Sequence, residues 1–251
     1  PELYRQEGVG KPNRPRTMVI YFNDIWFSHT DVVQLLNTKK MDYDLACAVD
    51  FHPFAQLYDL WVLRDINGLV LNQWYPYFWD ANSAWDVYYG RPVHVYSCWN
   101  GLVAFDATVL EKSNRKGAGI RFRKWRPSEK RAPTPVKNHL SKVEKEVFEK
   151  STFDDGSCSV SECQLFSKDL WDAGRSKIYV NPAVRVDYNR YHRLLRIVLS
   201  PVVNAVTFLI WYLKSPYDFD FVTNPTTNVT VPQPPIDVKC GIDYATQNGR
   251  A

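Results

Sequence analysis

Apolar residues in this chain come in short runs of branched and aromatic side chains, and several runs stop on an acid or an amide. The run at 19–22 ends on Asn23 and Asp24, after which Ile25-Trp26-Phe27 follows at once. A second run, 43–49, leads into Asp50-Phe51. A third, 93–97, opens into Cys98-Trp99-Asn100-Gly101, a turn from which 102–105 resumes as a strand. Residues 177–180 and 183–186 read as two short strands around Asn181-Pro182. Helical patterning lies between these runs. Thr30 is a candidate cap for a helix from Asp31 to about residue 36. Residues 162–171 place Leu165, Phe166 and Leu170 on one face, with Gly174 as the expected C-cap. Residues 56–65 read as a loop or short helix, Asn67-Gly68 as a turn, and 73–90 as an aromatic loop. The long apolar run at 197–213 contains Ser200, Pro201, Asn204 and Thr207. At 17 residues it stands at the lower limit for a span, and it predicts a buried or interfacial helix.

The ends of the runs carry the candidate chemistry. A buried strand that stops on a carboxylate presents it at the C-terminal edge of a sheet, where open α/β folds bind ligands. Asp24 is so placed, and a carboxylate there can hold a divalent ion against phosphates. A plain Asn-Asp turn is the simpler reading of the same residues. Asp50 and Asp59 also close apolar runs, and Trp61, Arg64 and Asp65 follow nearby. No P-loop, no GxGxxG and no convincing Ser-His-Asp pattern occurs. Metal-assisted transfer from a phosphate-linked donor fits what remains.

Composition changes this picture in three places. Aromatic residues reach 15% of the chain, which suits both core filling and stacking on sugar rings. Net charge is +4, yet residues 112–137 hold ten Lys or Arg against Glu129 alone, a local +9 that leaves −5 elsewhere. The basic stretch, extended to about 150, reads as a solvated insertion whose second half has helical charge spacing. No nucleic-acid partner is expected, since the basicity belongs to one segment and does not describe the domain. Five cysteines allow two disulfides and one free thiol and show no zinc spacing. Asn228-Val229-Thr230 is a glycosylation sequon. Residues 1–16 read as a polar tail, and the chain from Tyr217 onward as a proline-rich irregular one. The chain opens on Pro1 without a leader, the expectation for a trimmed or partial sequence.

Seven segments now fall in order: FNDIWF (22–27), DYDLACAVDF (42–51), YDLWVLRD (58–65), PYF (76–78), VYSCWNGLVAFDA (95–107), SECQLFSKDLW (161–171) and KIYVNPAVRVDY (177–188). Their content and spacing resemble the fungal cryptococcal-type α-1,3-mannosyltransferases of glycosyltransferase family 69. The resemblance implies a GT-A-like α/β domain with a mixed sheet over about residues 17–215, lacking the family's upstream membrane anchor and first βαβ region. It implies a GDP-mannose donor, a glycan acceptor, Mn²⁺ or Mg²⁺, retention of anomeric configuration, and a type II protein of the Golgi lumen. Membrane association would come through the missing N-terminal anchor. Asn23-Asp24 would then be a variant of the Asp-x-Asp site, with Asp24 as metal ligand. Trp99, Asn100 and Gly101 would lie under a sugar, and Asp50 would orient donor hydroxyls. Asp59, Trp61, Arg64 and Asp65 would bind acceptor or diphosphate. Glu162 would be the carboxylate on the acceptor side. Cys158 and Cys163 would be bridged or remain helix-buried thiols. A non-catalytic glycan-binding protein derived from the same fold is the rival expectation.

Overall fold

The structure is a computed structural model and describes residues 17–52, 55–111, 119–123 and 161–214. Six strands form one mixed sheet: β1 (Met18–Phe22), β2 (Leu45–Phe51), β3 (Arg64–Asp65), β4 (Val93–Ser97), β5 (Leu102–Asp106) and β6 (Ile178–Asp187). Their order is β1-β5-β2-β6-β4-β3. β5 lies antiparallel between β1 and β2, and β6 runs parallel to β2, so β1, β2 and β6 all point the same way. β4 and β3 complete the sheet in antiparallel pairing.

All seven residues of β2 are buried, as expected of a central strand covered on both faces. Alternation divides them. Leu45, Cys47, Val49 and Phe51 enter a large cluster with Phe166, Leu170 and Trp171. Ala46 and Ala48 face Leu35, Leu102, Ala104 and Val186 on the other side. Helix α1 (His29–Leu36) covers the small-residue face and α3 (Glu162–Asp172) the large one. A buried disulfide joins Cys47 to Cys98 and ties β2 to the turn before β5. Cys163 is a free thiol, while Cys158 lies outside the described residues.

Local structure departs from the sequence reading in four ways. Ser28, not Thr30, caps α1, through a reciprocal capping box with Asp31. The aromatic stretch 73–90 contains a helix, α2 (Ala81–Tyr88), capped by the Asp80 side chain on Ser83 N–H. The two short strands around Asn181-Pro182 are one strand, β6. Pro182 is tolerated because it stands in a bulge, where the partner of β2 jumps from Val180 to Arg185. Two of the ten residues read as a loop or short helix, Arg64 and Asp65, form β3 against β4. At the end of α3, Gly174 adopts φ +75°, and Arg175 N–H reaches Leu170 O. This is the expected glycine termination.

Helix α4 (Arg190–Lys214) is longer than the apolar run from which it was expected. The Asn189 side chain accepts from His192 N–H and starts the helix upstream. Most of the +9 segment and the sequon lie outside the described residues. Of that segment, Phe122 stacks on Phe166, and Arg123 pairs through two nitrogens with Asp169 at 2.7 and 2.8 Å.

Candidate active site

The three parallel strands each bring a carboxylate to the same edge of the sheet. β1 ends into Asn23-Asp24, β2 carries Asp50 one residue before its end, and β6 ends on Asp187. Asn23 N–H donates to Gly101 O at 2.9 Å, which lays the turn after β1 over the start of β5. The chain then crosses to β6, where Trp26 and Asp187 exchange backbone hydrogen bonds. Gly101 makes this crossing possible. Its φ is +68°, and a Cβ there would stand 2.9 Å from Ile25 Cγ2 and 3.0 Å from Val186 Cγ2. Asp24 is exposed above the crossing.

Beneath it lies a buried polar cluster. Asp50 is fully buried and receives three donors: Asn100 Nδ2 at 2.8 Å, Asp59 N–H at 3.3 Å, and the Tyr188 hydroxyl at 2.9 Å. Burial and then the neighbouring Asp59 carboxylate push the Asp50 carboxyl up to about 7, against those hydrogen bonds. Asp50 therefore exchanges its proton near neutrality. Asp59 is also raised by burial, although N–H groups of Val62 and Trp61 and the charge of Arg64 oppose the shift. Burial, and then contact with Asp50, holds the Tyr188 hydroxyl firmly protonated.

Asn100 is oriented by the same cluster. Its Nδ2 donates to Asp50 Oδ1 and to Asp59 O, so both amide hydrogens are used. Its Oδ1 is buried and has no hydrogen-bond partner among the described residues. A buried acceptor left open in this way is satisfied when a ligand hydroxyl or a water donates to it.

The remaining candidates divide by position. Trp61 is exposed and its N–H holds the Asp59 carboxylate, as does that of Val62. Glu162 is exposed in the first turn of α3. The adjacent Cys163 thiol is pushed up to about 12 by burial, with Glu162 and Asp59 adding to the shift. The start of α3 and Asp59 thus share one electrostatic neighbourhood. Trp99 lies in the core among Tyr21, Phe105, Phe122 and Phe166. Arg64 is buried and donates to the carbonyls of Leu60 and Leu63. Asp65 is buried and holds the turn through Asn67 and Leu69 N–H.

Four residues at the edge were not singled out from sequence: Tyr58, Asp187, Tyr188 and Arg196. Tyr58 and Tyr188 stack with centroids 4.2 Å apart. Asp187 is buried and bound by Arg196 through two nitrogens at 2.9 and 2.8 Å. Asp187 ends an apolar strand just as Asp50 nearly does, so the rule that picked Asp50 also selects it. Arg196 carries a weaker signal, a charge immediately before the uncharged run at 197–213.

Among the described residues, no group of three or more His, Cys, Asp or Glu gathers to hold a metal. A single exposed carboxylate, Asp24, suits an ion whose remaining ligands come from the phosphates of its donor.

The site is thus a polar edge of a mixed α/β sheet that offers an exposed carboxylate, Asp24, and one open buried acceptor, Asn100 Oδ1. The model of the family described as cryptococcal mannosyltransferase 1 matches residues 2–169, and the chain belongs to that family. The chain is 28% identical over 205 residues to the alpha-1,3-mannosyltransferase CMT1 of Cryptococcus neoformans. That match covers 75% of this chain and 37% of the relative. No solved structure matches.

Proposed function

We propose that this chain carries the transfer site of a mannosyltransferase that moves mannose from GDP-mannose to a glycan hydroxyl, in α-1,3 linkage and with retention, on a GT-A-like domain. The observation that carries the reading is the meeting of Asn23-Asp24, Asp50 and Asn100 at the ends of parallel strands in a chain of this family. Asp24 is the ligand for Mn²⁺ or Mg²⁺, and the bound ion supplies neutralisation of the leaving diphosphate. Asn23 and Gly101 set the turn that aims Asp24.

Asn100 accepts a hydroxyl of the sugar at its open Oδ1, held in register by Asp50 and Asp59. Tyr58 and Trp61, both partly exposed beside Asp59, offer ring faces for a sugar to stack on. Glu162 stands on the acceptor side and either stabilises positive charge at the anomeric carbon or attacks it. Arg64 and Asp65 act from behind by shaping the segment that holds Asp59, and Trp99 supports the turn from the core.

The Cys47–Cys98 disulfide favours an oxidising compartment, in keeping with the secretory pathway and a Golgi lumen. In the whole protein an N-terminal membrane anchor would hold the domain there.

The deciding experiment is GDP release from GDP-mannose with Mn²⁺, with EDTA, and with Asp24→Ala. Metal-dependent release that disappears in a folded Asp24→Ala variant is expected. Activity of that variant at the wild-type level would remove Asp24 from the metal role. A folded wild-type chain that binds glycan without releasing GDP would replace the transferase reading with glycan binding.

A further inference from the structure

Helix α4 is inside out. Its polar residues face the domain: Arg196 and Ser200 are buried, and Asn204 and Thr207 are half-buried. Its outward face carries Leu194, Val198, Val202, Val206, Leu209 and Leu213, each between 51 and 72% exposed. Their spacing of three and four residues draws one stripe along the helix. No Asp, Glu, Lys or Arg occurs from Ile197 to Leu213, and only 11% of the most apolar window is buried. A helix with this hydropathy is normally either covered by protein or placed in lipid.

The helix does not project from the domain. Arg196 binds Asp187 and lies over the Phe51 ring, while Phe208 packs on Tyr75, Trp85 and Tyr88. These two attachments are twelve residues apart, about 18 Å along the axis, so the helix lies along the domain surface.

We propose that the outward face of α4 docks on a lipid bilayer, with the helix lying in the membrane interface and the domain resting above it. Three observations favour lipid over a protein partner. The outward stripe of Leu194, Val198, Val202, Val206, Leu209 and Leu213 is aliphatic throughout, without the charged and hydrogen-bonding side chains that a protein interface interleaves with its apolar centre. Arg190 and Arg193 stand at the N-terminal end of the stripe, which complements anionic headgroups. Exposed aromatic rings flank the stripe: Tyr191 and Tyr212 near its ends, and Tyr88 beside Phe208 with Tyr89 against Tyr88. Aromatic rings concentrate at the headgroup level of membranes. Docking here is independent of the transfer chemistry.

The test is flotation of the full chain with vesicles of phosphatidylcholine alone and of phosphatidylcholine with phosphatidylserine. The chain is compared with a triple variant, Val198→Glu, Val202→Glu and Val206→Glu. The wild-type chain floats with both vesicles, more strongly with the anionic ones at low salt. The variant loses at least about tenfold of its bound fraction. Circular dichroism and an intact Cys47–Cys98 bridge show that the variant is folded. A wild-type chain that stays off both vesicles overturns the proposal, as does a variant that floats equally well. A soluble wild-type dimer that the variant converts to monomer assigns the face to a second copy instead.

Discussion

Two regions of this molecule break the ordinary rule of burial in opposite directions. At the sheet edge, Asp50, Asp187, Asn100 and Arg196 are buried, and hydrogen bonds or ion pairs satisfy nearly all of their polar atoms. Along α4, branched aliphatic side chains are exposed, with no described residue covering them. A buried polar cluster is expensive unless its partners are complete, so the open Oδ1 of Asn100 points to a missing ligand. An exposed apolar stripe costs little in folding stability but is selected against by association, so it points to a missing surface. Arg196 belongs to both regions, because it anchors the helix by neutralising the edge.

The sharpest way to break the comparison is therefore at that residue. Arg196→Ala leaves Asp187 buried and unpaired, and a loss of about 3–5 kcal/mol is expected, read from the denaturant midpoint. A loss under about 1 kcal/mol would show that the edge tolerates an isolated charge and that α4 is held by other contacts.

Cys98→Ser comes next. It opens the link between β2 and the turn that carries Asn100, at an expected cost of about 2–4 kcal/mol and with weaker donor binding. An unchanged thermal midpoint with and without reductant would contradict this.

Gly101→Ala is expected to cost about 1–3 kcal/mol, because a Cβ at φ +68° collides with Ile25 and Val186. Since the Asn23-Asp24 turn rests on Gly101, metal-dependent GDP release should fall further than stability alone explains.

The pH response of Asp50 sharpens the comparison from the polar side. Its carboxyl titrates at about 7 in the native state, against about 4 when unfolded. The native state therefore holds the extra proton between these values, and stability falls as pH rises through that window. Asp50→Asn should flatten the fall in thermal midpoint between about pH 4 and 7, with a remainder from Asp59, which shifts in the same direction. A parallel curve for the variant would place the titration elsewhere.

The smallest effect belongs to the apolar side. Val202→Glu, at a position 67% exposed, should change stability by less than about 0.5 kcal/mol. A large loss would mean that the stripe already covers part of the core.

Much of this was written in the chain as local pattern. The runs ending at Asp24 and Asp50 are legible because a strand's period and a terminal carboxylate are properties of neighbouring residues. Gly174 was legible as a cap for the same reason. Helix α2 was not, because eight aromatic residues between 73 and 90 obscure a helical stripe whose clearest signal is the single cap at Asp80. The two-strand reading at 177–186 failed because Pro182 normally ends a strand, and only the bulge against β2 lets it stay.

The sequence by itself determined which residues end on acids, where the glycines turn the chain, and that one helix is apolar for five turns. The tertiary structure decided which of these meet. Asp50 and Asn100 are fifty residues apart, and Tyr188 lies 138 from Asp50, so their contact follows from strand order and is invisible to any local window. Tertiary structure also decided that Trp99 fills the core while Trp61 faces solvent, and that Arg196 turns inward and leaves the valines outside. The physical reason is common to all of these. A residue's period assigns it to a face, but only the packed sheet determines whether that face meets protein, water or something else.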